Sequence, residues 1–210
     1  MNARRAKPLQ TFTLPIVALG SVSMAFAWLL TPYYGPWVAN AAAAIPTLVV
    51  AFIWGEAARN LQLKPRALAW SMALGLTLAF MTWLLAPPLA KEFPALSNEM
   101  TRLYATLNRP PGPVRALPIL LTTAATEELV WRGELVNWLQ RRYGLVTTVI
   151  IATLSYSIPI AASRSILLFC IANGLGAILT LQRVATKSWI ACSISHMIWA
   201  LGVFVIRPIG

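Results

Sequence analysis

Seven long apolar runs divide this sequence, and a chain built that way has few folds open to it. They extend from about Phe12 to Leu30, Trp37 to Trp54, Ala67 to Ala90, Ala116 to Leu139, Leu145 to Ala162, Ile166 to Leu181 and Ser188 to Ile206. Crossing the hydrocarbon core of a bilayer takes about 20 residues of helix, and each run is near that length. In lipid an open chain can satisfy its backbone groups only as a helix. The expectation is therefore an all-α, polytopic membrane bundle of about seven transmembrane helices. Only 11% of the residues are charged, against about 25% in a soluble domain, so a soluble enzyme is excluded.

The net charge of +11 does not point to nucleic acid, because the seventeen Lys and Arg are spread between the apolar runs. That spread is what the positive-inside rule produces, and the partner it implies is the lipid bilayer. With a cytoplasmic N-terminus, the inside segments hold Arg4, Arg5, Lys7, Arg59, Lys64, Arg66, Arg141, Arg142, Arg183 and Lys187. The outside segments hold Lys91, Arg102, Arg109, Arg115, Arg164 and Arg207. Ten against six has the sign of a cytoplasmic N-terminus, in a prokaryotic cytoplasmic membrane. The first run has a signal-like Ala25-Phe26-Ala27, but it is long for a signal peptide, and an uncleaved anchor is expected.

The polar stretch from Lys91 to Arg115 reads either as an interfacial amphipathic helix ending in a proline-rich turn (Pro110, Pro111, Pro113) or as a solvated loop. Cys170 and Cys192 both fall in apolar runs and read as small buried hydrophobes rather than a disulfide framework. There is no Asp, and there are only six Glu and one His. That inventory excludes a Ser-His-Asp triad and a multi-His zinc site. No metal and no cofactor is expected.

The fourth run carries charges that lipid does not tolerate freely: Glu127, Glu128, Arg132 and Glu134. A charge at the bilayer centre costs about 2.5–3.5 kcal/mol on insertion scales, so such residues mark function by default. Glu128 and Arg132 are four apart, on one helix face, and can pair. Glu127 lies about 100° round the helix, left free to take a proton from water as a general base. A purely structural ion pair is the competing reading. Glu134, close to Arg141 and Arg142, is placed at the interface. The sole histidine, His196, stands in the last run beside Ser193, Ser195 and Trp199. It is either an interhelical hydrogen-bonder or a helper that holds a water or a developing oxyanion.

Glu-Glu-x-x-x-Arg-Gly within an apolar helix, followed by two further apolar runs and a His in the last, resembles the CPBP superfamily. These are the CAAX prenyl endopeptidases and bacteriocin-processing (Abi) intramembrane proteases. The likeness covers roughly Ala116 to Pro208. It divides the chain into 1–115, membrane helices and a polar loop that match only in character, and 116–210, the CPBP-like core, within one integrated bundle. The resemblance implies that Glu127 activates water, that Glu128 and Arg132 support the site, and that His196 stabilises the oxyanion. Two positions depart from the family pattern. Ile160 stands where a middle-motif His is expected, four residues after Tyr156, and Ala200 stands where the last motif has Asn or Asp. Tyr156 and Asn173 are the candidates to take over the missing polar roles.

The function expected is thus a glutamate-dependent intramembrane endopeptidase acting on a membrane-associated protein or peptide. The rivals are a catalytically inactive relative, with a binding or immunity-type role, and a small proton or cation transporter using the Glu pair.

Overall fold

The computed structural model of the chain describes residues 12–208. Arg4, Arg5 and Lys7 lie outside the described residues. Within them the chain is helical throughout, with no strand. α1 (Thr13–Tyr34) and α2 (Pro36–Trp54) form a hairpin that turns at Gly35. The turn needs a left-handed residue (φ 78°), and Pro36 then starts α2 in the first-turn position that suits it. α3 (Pro65–Glu92) and α4 (Pro94–Leu107) also begin at proline. α5 (Leu117–Glu128) continues without a break through a π turn (Leu129–Leu135) into α6 (Val136–Gln140). This rod, roughly 35 Å long at 1.5 Å per residue, is the fourth apolar run. α7 (Leu145–Ile160), α8 (Ile166–Thr186) and α9 (Trp189–Leu201) complete the bundle, with a second π turn over Gly202–Ile206. Ser165 and Ser188 cap α8 and α9, accepting from the amides of Leu168 and Ala191 at 3.2 and 3.3 Å.

Six of these helices are long and apolar enough to cross a membrane. The seventh crossing is the rod, whose charges set it apart in composition. α3 runs through Pro87-Pro88 to Glu92, just beyond the expected Ala90, and α8 runs to Thr186, beyond the expected Leu181. The reading of 91–115 as an amphipathic helix and then a turn holds, with α4 as the helix.

The rod is the axis of the fold. Leu129, Val130 and Val136 are wholly buried, and α1 presses Ile16, Val17 and Met24 against them. The approach is close: a methyl group on Gly20 would sit 2.8 Å from Val130 Cγ1. A methyl group on Gly176 of α8 would sit 3.3 Å from Thr153 and Tyr156, so the small residues of α8 serve a contact with α7. Cys192 is buried, as expected, whereas Cys170 is exposed on the outer face of α8, where a thiol meets lipid without penalty.

One end of the bundle carries the N-terminus of α1 and the turns at 55–64, 141–144 and 187–188. The other end carries α4 and the turns at Gly35 and 161–165. α4 lies across this second end. Trp37 Nε1 donates to Leu107 O (3.0 Å) and Tyr104 Oη to Val203 O (2.9 Å). Glu99 accepts from Ser165 Oγ (2.6 Å) and from the Leu167 amide (2.8 Å) at the start of α8.

The Ser165 hydroxyl first, then the Leu167 amide, hold the Glu99 carboxyl below its ordinary value. Its contribution to holding α4 is complete above about pH 4.3, the unperturbed value, and is lost as pH falls through the lowered native one. Protection of α4 from amide exchange is therefore expected to drop on acidification through that window. Glu99→Gln is expected to show the acid behaviour already at neutral pH. An exchange rate in α4 indifferent to both changes would contradict this role.

Candidate active site

Midway along the rod, at the start of its π turn, Glu128 and Arg132 are both 0% exposed and pair at 3.1 Å. His196 of α9 brings Nδ1 to 2.9 Å from the same Glu128 oxygen. A carboxylate acting as an acceptor from Arg132 can only accept from the imidazole as well, so Nδ1 bears the proton of that bond. Nε2 is then the atom left for other partners. Arg132 also donates from Nη2 to Gly176 O of α8 (3.1 Å) and lies 4.5 Å from the centroid of the Tyr156 ring. Arg183 Nε donates to Arg132 O (3.0 Å). One buried ion pair thus joins the rod to α7, α8 and α9. Glu128 Oε2 and Arg132 Nε are buried without a protein partner, an unusual state for such groups.

Glu127 is only half-buried. Its Oε2 accepts from Tyr156 Oη at 2.8 Å. Tyr156 is itself fixed edge-on against Trp131, with ring centroids 5.3 Å apart, and Trp131 Nε1 donates to Ser155 O (3.1 Å). Glu127, Tyr156 and His196 line a single cavity of about 140 Å³. Its remaining walls are largely apolar and include Trp37, Trp199 and Phe204. On another flank of Glu127 is a smaller space of about 30 Å³, bordered by Ser23, Asn40, Thr47 and Thr123. A water needs about 10–15 Å³ of such volume and polar partners, and both are present.

The four residues singled out in the sequence converge. His196 bonds Glu128, not Glu127, and the side chain facing Glu127 is Tyr156. Ile160 and Ala200 both line the cavity, so the expected polar positions are where the motifs place them, occupied by apolar side chains. Asn173 is not brought to the cavity; its amide donates to Phe169 O (2.8 Å) and it accepts from Ser157 Oγ (3.3 Å). Glu134, toward the end of the bundle that bears Arg141 and Arg142, is 1% exposed. α1 and the turn after α2 cover it, and it accepts from the Ala57 amide (2.7 Å) and Thr13 Oγ1 (3.3 Å).

Two residues were not singled out in the sequence. Asn40 and Thr123 border both spaces beside Glu127, and Thr123 Oγ1 is buried without a protein partner. Their only sequence signal is that each is polar within an apolar helix. Among the described residues no three His, Cys, Asp or Glu side chains are grouped to hold a metal ion.

Residues 110–202, from the turn before the rod to the end of α9, match the family model described as type II CAAX prenyl endopeptidase Rce1-like. No curated protein and no solved structure matches the chain. The matched segment contains Glu127, Glu128, Arg132 and His196.

Removing one member of a wholly buried ion pair costs about 3–5 kcal/mol, because the other charge is left without compensation. Arg132→Met is expected to destabilise the protein in detergent by that order in thermal unfolding. Adding Glu128→Gln to Arg132→Met is expected to recover much of the loss. Strictly additive losses would show that the pair is not coupled.

Proposed function

We propose that this multi-pass membrane protein, with its CAAX-protease-type core, is an intramembrane endopeptidase that cleaves a membrane-associated protein or peptide. The observation that carries the reading is the sharing of one cavity by Glu127 and His196, the latter gripped from behind by Glu128. Glu127 takes a proton from a water held beside Asn40 and Thr123, and the resulting hydroxide adds to the scissile carbonyl carbon. His196 spends Nδ1–H on Glu128 and, with a proton on Nε2, donates to the carbonyl oxygen as negative charge develops there. When the C–N bond breaks, the proton held by Glu127 passes to the departing amine. Tyr156 fixes the Glu127 carboxylate, the place in which the missing middle-motif His would have worked. Glu128 and Arg132 position His196 and touch no substrate. No cofactor enters the scheme.

The protein sits in this reading in a bacterial cytoplasmic membrane with the end bearing the α1 N-terminus in the cytoplasm. Arg59, Lys64, Arg66, Arg141, Arg142 and Lys187 cluster at that end, as the positive-inside rule requires.

A second reading has a specific observation in its favour: Ile160 and Ala200 make the cavity wall apolar at two positions where the family places polar groups. A relative that has lost turnover would keep the Glu128–Arg132–His196 cluster for stability and bind its partner without cleaving it.

The two readings separate in one experiment. Membrane-anchored peptides, prenylated and unprenylated, are offered to the purified chain and to Glu127→Gln and Tyr156→Phe. Hydrolysis is expected with the native protein, and it should fall at least about a hundredfold in Glu127→Gln, the scale of a lost general base. Tyr156→Phe should slow turnover less and leave KM nearly unchanged. Equal cleavage by native protein and Glu127→Gln would overturn the catalytic assignment. Tight peptide binding without cleavage by the native protein would favour the second reading.

A further inference from the structure

One large groove among the described residues has no part in the site above. It is about 550 Å³ and runs between the turn after α2 and the end of α8, lined by Asn60, Gln62, Lys64, Arg66, Trp70 and Lys187 among others. None of these borders the Glu127 cavity. Its walls are fixed: Ser188 Oγ donates to Gln62 O (2.8 Å), and Trp189 Nε1 donates to Ala57 O (3.0 Å). Lys187 ends α8 in the left-handed region (φ 57°), where glycine is the usual residue.

Among the described residues three cations therefore face one groove, and no carboxylate lines it. The chain has six Glu and no Asp, and every Glu is placed elsewhere. Glu56 pairs with Arg141 at 2.7 Å, and Glu134 is taken by Ala57 and Thr13. Glu127 and Glu128 are in the cavity cluster. Glu92 and Glu99 are at the opposite end of the bundle. Among the described residues no carboxylate supplies the counter-charge for Lys64, Arg66 and Lys187. The groove lies at the ends of α3 and α8, both long enough to span the bilayer, and so at headgroup depth. Trp70, 58% exposed, is one turn further into α3 than Arg66, where an indole sits at the membrane interface. The positive-inside rule accounts for basic residues at this end, but not for their convergence with an indole and two amide side chains on one pinned groove.

We propose that this groove binds the phosphate headgroup of an anionic phospholipid. Lys64, Arg66 and Lys187 neutralise the headgroup, Asn60 and Gln62 offer hydrogen bonds to its polar part, and Trp70 packs beside the upper acyl chain. The site is independent of the proposed peptidase activity.

The test is native mass spectrometry of the delipidated full-length chain in detergent, titrated with phosphatidylglycerol, phosphatidylcholine, inorganic phosphate or a poly-glutamate peptide. One phosphatidylglycerol is expected to bind, on the order of tenfold or more tighter than phosphatidylcholine, given the contribution of each basic residue near an anionic surface. Lys64→Gln/Arg66→Gln/Lys187→Gln should lose that preference, and the charge-preserving Lys64→Arg/Lys187→Arg should keep it. Should the triple variant fail to fold, Lys187→Gln alone is expected to weaken phosphatidylglycerol binding measurably. Equal binding of the two lipids, or undiminished binding by the Gln variants, would overturn the proposal. So would displacement of the lipid by millimolar phosphate, which would mark a free-anion site, or tighter capture of poly-glutamate, which would mark an acidic protein partner.

Discussion

A carboxylate sealed in the middle of a membrane bundle has to be answered by its neighbours, and here Glu128 is answered twice, by Arg132 from its own rod and by His196 from α9. Neither contact is optional, since burial makes an uncompensated charge costly by several kcal/mol. Because the partners come from different elements, the requirement fixes helix register. Arg132 further reaches α8 through Gly176 O and α7 through the Tyr156 ring. Apolar packing alone is a weak guide in lipid, where the solvent is as apolar as the core. Polar contacts of this kind choose one arrangement among many.

The same cluster divides the labour of the adjacent carboxylates. Glu128 is consumed by structure, while Glu127 keeps, among the described residues, a single bond, to Tyr156, and faces a cavity with room for water. Their separation round the helix makes this possible: one residue's step is enough to turn one carboxylate inward and the other to the cavity. The π turn that starts immediately after Glu128 widens the rod where Arg132 must fit, in keeping with the association of such turns with functional sites. α4, strapped across one end by Glu99 and Tyr104, supplies Leu103 and Leu107 to the cavity wall.

Much of this was legible in the sequence. The length of the apolar runs gave the bundle, because bilayer thickness leaves little freedom in helix length. The four charged or titratable residues at depth identified the cluster, because lipid makes such residues rare. What was not legible was which group meets which across the bundle. The spacing argument assumed regular helix and left His196 free to meet either Glu; the packing of α9 on the rod, with its π turn, decided for Glu128. Asn40 and Thr123 carry no distinguishing mark in their runs, since a hydroxyl or amide in a membrane helix usually bonds its own backbone or a neighbour. That Glu134 is covered by protein was not legible either, because the covering comes from the folding of α1 and the Ala57–Arg59 turn over it. Cys170 looked like a core residue because periodicity is weak in a helix apolar on all sides.

The chain has a single histidine, which makes the central claim directly measurable. Protein labelled with ¹⁵N-histidine gives one imidazole spectrum in membranes by solid-state NMR. The account requires a proton on Nδ1, shifted by a strong carboxylate bond, and loss of that shift in Glu128→Gln but not in Glu127→Gln. An Nδ1 without a proton, or a spectrum unmoved by Glu128→Gln, would mean that no Glu128–His196 contact ties the rod to α9.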